Sequence, residues 1–390
     1  MRFVTPNWRR FWWVAGFTAV LATLCAGQNA PPAISSIPTP AAATAVLNQS
    51  PQAEPLITFQ RSLATEPTDA AALLKSGLAF YAQQKWAEAE ADFRRAATAN
   101  PQSRSARAWL GYAIYYQDRF ADAETVFRQS LELEPNAAFR QGNLGEALFV
   151  QQKWKPAEAA YTRAAQLEPD NPLWQFYTGL TIYYQQRVED SESYLRRAVE
   201  LEHRIAGWYG SYGSLMLDLR RWKNAEAAFR QAIYLTDAPA WHNGLGTALL
   251  HQGKVAAAIV EYKSAVFNAP KVAVFHVNLG NAYSRQKLWR EAEIELRDAV
   301  TLQSNDAGWY ALLASTLYQQ QKYREAANAY KESIRLRPDA ALSYFNLGVI
   351  YINLGEKRSA LEQLDKLRPL DARLANKLDD LIQGKTPAGN

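Results

Sequence analysis

Residues 145–169 read GEALFVQQKWKPAEAAYTRAAQLEP. Gly145 opens the stretch, Ala157 follows twelve residues later, Tyr161 four after that and Ala164 three further, before Pro169 closes it. The same frame recurs along the chain. Its glycine returns as Gly77, Gly111, Gly179, Gly213, Gly246, Gly280 and Gly348, with Ala314 in the one remaining place; the spacing is 34 residues throughout, except for one step of 33. The small residue returns as Ala89, Ala123, Ser191, Ala225, Ala258, Ala292, Ala326 and Ala360. The large apolar residue returns as Phe93, Phe127, Leu195, Phe229, Tyr262, Leu296, Tyr330 and Leu364. A fixed period of this length is the mark of a repeat array, in which no unit can bury its apolar face alone.

This frame closely resembles the tetratricopeptide repeat, a helix–turn–helix of the same period. The resemblance implies an all-α fold: an α-solenoid, a right-handed superhelix of about nine repeats with a C-terminal capping helix. Glycine and alanine would let the two helices of each hairpin approach closely, while the large residue fills the groove beside them. Each hairpin then buries its remaining face on the next, so the array is expected to form one continuous core. Its expected bounds are 70–374. Phe59, Ser62 and Pro67 fall where the second helix of a preceding unit would place them, so 55–69 reads as a half repeat. Residues 371–382 read as a polar-faced capping helix, with 375–390 holding its end and the tail. Two departures stand out. Trp174, Trp208, Trp241 and Trp309 lie five residues before the glycine position, where the family usually has tryptophan four before. The short unit falls near Asp237-Ala238-Pro239, where a local change of twist is expected.

Ahead of the array, Arg2, Arg9 and Arg10 precede an uncharged apolar run from Phe11 to Ala26, and Cys25-Ala26-Gly27 offers small residues for cleavage. This pattern predicts a signal peptide over 1–27, cut after Gly27, with an uncleaved signal anchor as the rival. Residues 28–54 form a Pro-rich linker. The expected location is exported, periplasmic or membrane-anchored on the outer side of the inner membrane.

Composition narrows the chemistry. One cysteine excludes an internal disulfide or a cysteine-based metal cluster. The three N-terminal arginines account for three of the net charge of +5, leaving +2 beyond residue 27, so no nucleic-acid partner is expected. Of the four histidines, His242 and His276 occupy equivalent places on adjacent repeats, and none has a carboxylate at metal-ligand spacing. No phosphate loop or nucleophile elbow is present. No enzyme activity, metal or cofactor is expected. Trp86, Phe120, Trp154, Trp222, Trp289 and Tyr323 share the turn between helices and read as packing residues. Arg94, Arg128, Arg196, Arg230 and Arg297 each follow a glutamate by four residues and read as ion pairs on a solvated helix face.

The family resemblance implies a peptide-holding groove lined by the first helices, at positions three before, two before, one after and four after each glycine. On this reading the groove has an aromatic half, carried by Tyr112, Tyr115, Phe149, Phe176 and Tyr183, together with Trp109, Phe139 and Tyr177. Its polar half is carried by Asn243, Asn278, Asn281, Ser315 and Asn346. Asn143, Asn278 and Asn346 share the string Asn-Leu-Gly and resemble the asparagine ladder of some arrays, whose amides pair with a peptide backbone. Asparagine capping local polar groups is the competing reading. Gly308 and Leu312 stand where arrays that clamp chaperone tails need basic residues. The expected function is a non-enzymatic scaffold of the cell envelope that binds a protein or peptide partner, tethered to the membrane if its N-terminus is retained. The alternatives are a polysaccharide-associated assembly protein that stacks sugars on the aromatic half, or an accessory subunit of an enzyme complex.

Overall fold

A computed structural model of the chain describes residues 67–384. The expected signal, the linker, residues 55–66 of the half repeat and residues 385–390 of the tail lie outside the described residues. All regular structure among the described residues is α-helical, and no helix there is long and apolar enough to cross a membrane. The chain divides into two compact units, whose described parts are 67–215 and 216–384.

The first unit holds α1 (Thr68–Ala82), α2 (Trp86–Ala99), α3 (Arg104–Tyr115), α4 (Phe120–Leu133), α5 (Ala138–Val150), α6 (Trp154–Leu167), α7 (Pro172–Tyr184) and α8 (Val188–Leu201), with most of α9 (Ala206–Asp218). The second holds α10 (Trp222–Leu235), α11 (Pro239–His251), α12 (Val255–Asn268), α13 (Ala273–Arg285), α14 (Trp289–Leu302), α15 (Ala307–Gln319), α16 (Tyr323–Leu336), α17 (Ala341–Asn353), α18 (Lys357–Leu367) and α19 (Ala372–Ile382). In the first unit each helix from α1 to α7 packs on its successor, as does each from α10 to α18 in the second.

The period is written into the turns. After the first helix of each hairpin one residue enters the left-handed region: Gln84, Asp118, Gln152, Gln186, Arg220, Gly253, Lys287, Gln321 and Gly355. At Gln152 (φ 58°) the turn is closed by Lys153 N–H donating to the Leu148 carbonyl at 3.0 Å, the six-to-one bond of a Schellman motif. Starts are set by side-chain caps at Ser103, Asn171, Asp306 and Asp371 and by Pro172 and Pro239 in the first turn.

Close approach explains the recurrent glycine. A Cβ on Gly145 would lie 2.9 Å from the Tyr161 ring, inside van der Waals contact. The large residue sixteen positions on therefore fills the space a side chain would need, and Ala157 beneath it is fully buried. The last hairpin departs from this. A Cβ on Gly348 would meet Leu378 of α19 at 2.6 Å, so the capping helix inserts where the repeat frame would put Leu364.

Two of the shifted tryptophans, Trp174 and Trp208, pack on the preceding first helix. Trp174 lies over Gly142, and its indole N–H donates to Glu168 at 2.8 Å. Trp208 stacks on Phe176 with ring centres 4.8 Å apart. The short unit loses its residue from the loop between α10 and α11, which is Thr236–Ala238. The turn aromatics pack as expected: Trp86 stacks on Tyr116 at 4.8 Å and Trp154 on Tyr184 at 5.1 Å.

The glutamates corrected the sequence reading. Glu90, Glu124, Glu226 and Glu293 do bond Arg94, Arg128, Arg230 and Arg297, but they are largely buried and also bridge to the next repeat. Gln151 donates to Glu124 at 3.0 Å and Lys153 at 2.7 Å; Gln252 and Lys254 do the same for Glu226, and Gln320 and Lys322 for Glu293. Arg196 approaches Glu200, one turn further along its helix, at 4.0 Å.

Candidate functional site

The expected groove residues of the first unit come from α3, α5 and α7. Phe149, Phe176 and Tyr183 are fully buried, Tyr177 is nearly so, and Tyr115 is 6% exposed. Their rings fill the interior between neighbouring helices: Phe149, for example, meets Trp154 and Tyr184 edge-on at 5.3 and 5.5 Å. Sugar stacking needs open ring faces, which Phe149, Phe176 and Tyr183 do not present. Tyr112 remains partly exposed, and its hydroxyl donates to Asn143 Oδ1 at 2.6 Å.

Between these residues lies Glu146 of α5, which the sequence analysis passed over although it stands one after Gly145, at a groove position. Its side chain keeps some solvent access while protein atoms crowd around it. That burial pushes its carboxyl up to about 7, with the neighbouring Tyr115 hydroxyl pulling weakly the other way. The Tyr115 and Tyr161 hydroxyls and the Asn143 amide nitrogen are buried with no hydrogen bond of good geometry among the described residues. Burial first, and then the Glu146 charge, hold the phenols of Tyr112, Tyr115 and Tyr161 neutral. The legible signal was a single acid in a run of aromatic groove positions.

In the second unit Asn278 donates from Nδ2 to Asn243 Oδ1 at 2.7 Å, so two amides of the polar half bond each other and each keeps its other polar atom. Asn281 is 3% exposed beside them on α13. Ser315 and Asn346 meet in one cavity of about 830 Å³, walled by α15, α17 and α19 and including Phe345, Val349 and Leu374. There Asn346 donates to the Tyr330 hydroxyl at 3.0 Å.

The histidines also need correction. The following helix brings Glu261 to His242 and Glu295 to His276, and Asp237 reaches His242 from the loop before its own helix. His242 bonds Glu261 at 2.6 Å and Asp237 at 2.8 Å, and His276 bonds Glu295 at 2.7 Å. Asp298 joins His276 and Glu295 in a group whose ligand atoms lie within 4.8 Å of one another. The second nitrogen of His276 faces the Pro270 carbonyl at 2.9 Å, so both ring nitrogens already serve protein acceptors. Burial works against charge on this ring, but those bonds overcome it and hold the pKa above the usual imidazole range. The arrangement is that of a buried imidazolium, which has no lone pair for a metal.

A family model described as tetratricopeptide repeat matches residues 47–104, 74–138, 143–206 and 213–273, and one described as TPR repeat matches 314–355. No curated protein matches the chain. Among solved structures, the APC/C hetero-tetramer Cut9-Hcn1 is 15% identical over 75% of this chain, with a TM-score of 0.49; the match spans 59% of that chain. PilF of Pseudomonas aeruginosa is 17% identical over 54% of this chain and 97% of its own, with a TM-score of 0.47. A tetratricopeptide repeat protein of Parabacteroides merdae is 16% identical over 64% and 100%, with a TM-score of 0.48. The family models cover more than half of the sequence, at the period its helices and turns keep, and the chain belongs to the tetratricopeptide repeat family.

Proposed function

We propose that this protein is a non-enzymatic scaffold of the cell envelope that binds an extended segment of a partner protein along its first helices. Tetratricopeptide repeat proteins bind protein or peptide partners, and they are generally non-catalytic. The observation that carries the reading here is the cavity joining Ser315 and Asn346. It combines apolar wall area with an amide and a hydroxyl, the mixture that takes side chains while pairing a backbone. Export rests on the sequence of residues 1–27 alone.

The test starts from a peptide retained by the purified protein from a random library. Replacing Asn278 and Asn346 by Ala is expected to weaken that peptide by about 1–3 kcal/mol per lost amide, read by calorimetry, with helix content unchanged. Unchanged affinity in the double variant would remove the first-helix faces as the binding surface. Intact-mass measurement of soluble and membrane fractions addresses export: a mature chain starting at Gln28 is expected, and a membrane-bound chain starting at Met1 would establish a retained anchor instead.

A further inference from the structure

Among the described residues, the buried side-chain polar atoms that lack a hydrogen-bond partner lie in the first unit, around the aromatic half of the expected groove. Glu146 forms no ion pair with any lysine, arginine or histidine among the described residues, although ion pairs bind most buried glutamates of this protein. Among the described residues, the titratable groups that feel its charge are phenols: Tyr81 from α1, Tyr112 and Tyr115 from α3, and Tyr161 from α6, on which Tyr177 of α7 stacks at 5.2 Å. Tyr161 and Asn143 are 1% and 2% exposed, and each carries a polar atom without a hydrogen-bond partner among the described residues, while the Tyr115 hydroxyl faces the Glu146 carboxyl. A half-buried carboxyl with no ion pair, set among tyrosines in the expected groove, has the composition of a site for an organic cation. The carboxylate supplies charge, and the Tyr115 hydroxyl can donate to the ionised acid.

We propose that Glu146, with Tyr112, Tyr115 and Tyr161, receives a basic side chain of the bound segment, the ammonium of a lysine or the guanidinium of an arginine. The inference rests on the peptide-binding reading and gives it a selectivity. Without ligand, the raised carboxyl is half protonated near neutral pH. On binding, the Glu146 carboxylic acid gives its proton to solvent and its carboxylate pairs with the incoming cation. Binding therefore strengthens as pH rises through about 7. The ionised fraction grows about tenfold between about pH 6 and about pH 8, and affinity is expected to follow.

Two measurements test this on the full chain. In the first, carboxyl-labelled glutamate is followed by NMR while n-butylammonium or n-butylguanidinium chloride is added, with potassium chloride at equal ionic strength as control. The Glu146 signal is expected to titrate near 7 and to shift to lower pH with either organic cation but not with potassium; equal response to all three would overturn the proposal. In the second, short peptides with lysine, arginine or norleucine at one position are compared for affinity. Norleucine is expected to lose about tenfold or more, and Glu146→Gln to abolish both that preference and the pH dependence. Peptides bound without preference for a cation would overturn this inference and leave the peptide-binding reading standing. A shift of Glu146 by butylammonium with no peptide bound would uphold the cation site and sink the peptide reading. Should Glu146→Gln not fold, the lysine–norleucine comparison on the native chain decides alone.

Discussion

At Gln152 the backbone holds a left-handed turn that a glycine would enter without steric cost, and six further non-glycine residues do the same. The left-handed conformation costs a residue with a Cβ about 1–2 kcal/mol, partly offset because glycine loses more entropy on folding. Gln152→Gly is therefore expected to stabilise the protein by about 0.5–1 kcal/mol, and Gly253→Gln to destabilise it by a similar amount, read as shifts of the urea midpoint. His276 makes the second prediction at this scale. Its pKa is raised in the folded state, so its contribution is fully present below the unfolded value of about 6.5 and is lost as pH rises through the folded value. The midpoint difference between the native chain and His276→Gln should shrink from about pH 6 upward; a difference that grows with pH would refute the assignment. The repeat position of His276 was legible in sequence, but its partner Glu295 lies on the next helix, nineteen residues away, and only the hairpin brings the two together.

Between elements, the bridging glutamates set the behaviour. Glu226 is held down to about 2, chiefly by the Lys254 ammonium, against the cost of its burial. A depressed acid contributes stability that is present above the unfolded value of about 4.5 and lost as pH falls toward the folded one. Acid unfolding of the second unit should accordingly extend over the range from about 4.5 down to 2. Glu293→Ala leaves Gln320 and Lys322 without the acceptor they share and is expected to cost about 1–3 kcal/mol, measured by urea denaturation. An effect within about 0.5 kcal/mol would return this residue to the class of solvated surface pairs. The glutamate-to-arginine spacing was visible in sequence. What it hid was that the same carboxyl reaches Gln and Lys a whole repeat later, because helix periodicity speaks only of neighbours on one helix.

For the whole molecule, stability in an array is roughly a sum of units and the faces between them. Ending the chain after Pro338 removes α17, α18 and α19 and uncovers Leu312, Leu313 and Tyr330, all buried in the native protein. The remaining chain is expected to keep helix content in proportion to its length, unfold at lower denaturant and aggregate more readily. Circular dichroism on the truncated chain checks this, and complete loss of helix would refute additive stability.

The period, the hairpin, the all-helical class and the capping helix follow from residues at fixed intervals, because each depends on local chain geometry and on one glycine facing one large residue. Partner choice within that frame does not. The same groove positions hold Phe149, which is wholly interior, and Glu146, which keeps a path to solvent. Trp154 of α6 and Tyr184 of α7 pack against Phe149. Burial, hydrogen-bond partners and the resulting protonation of Glu146 are sums over several helices at once, so the tertiary structure alone decides them.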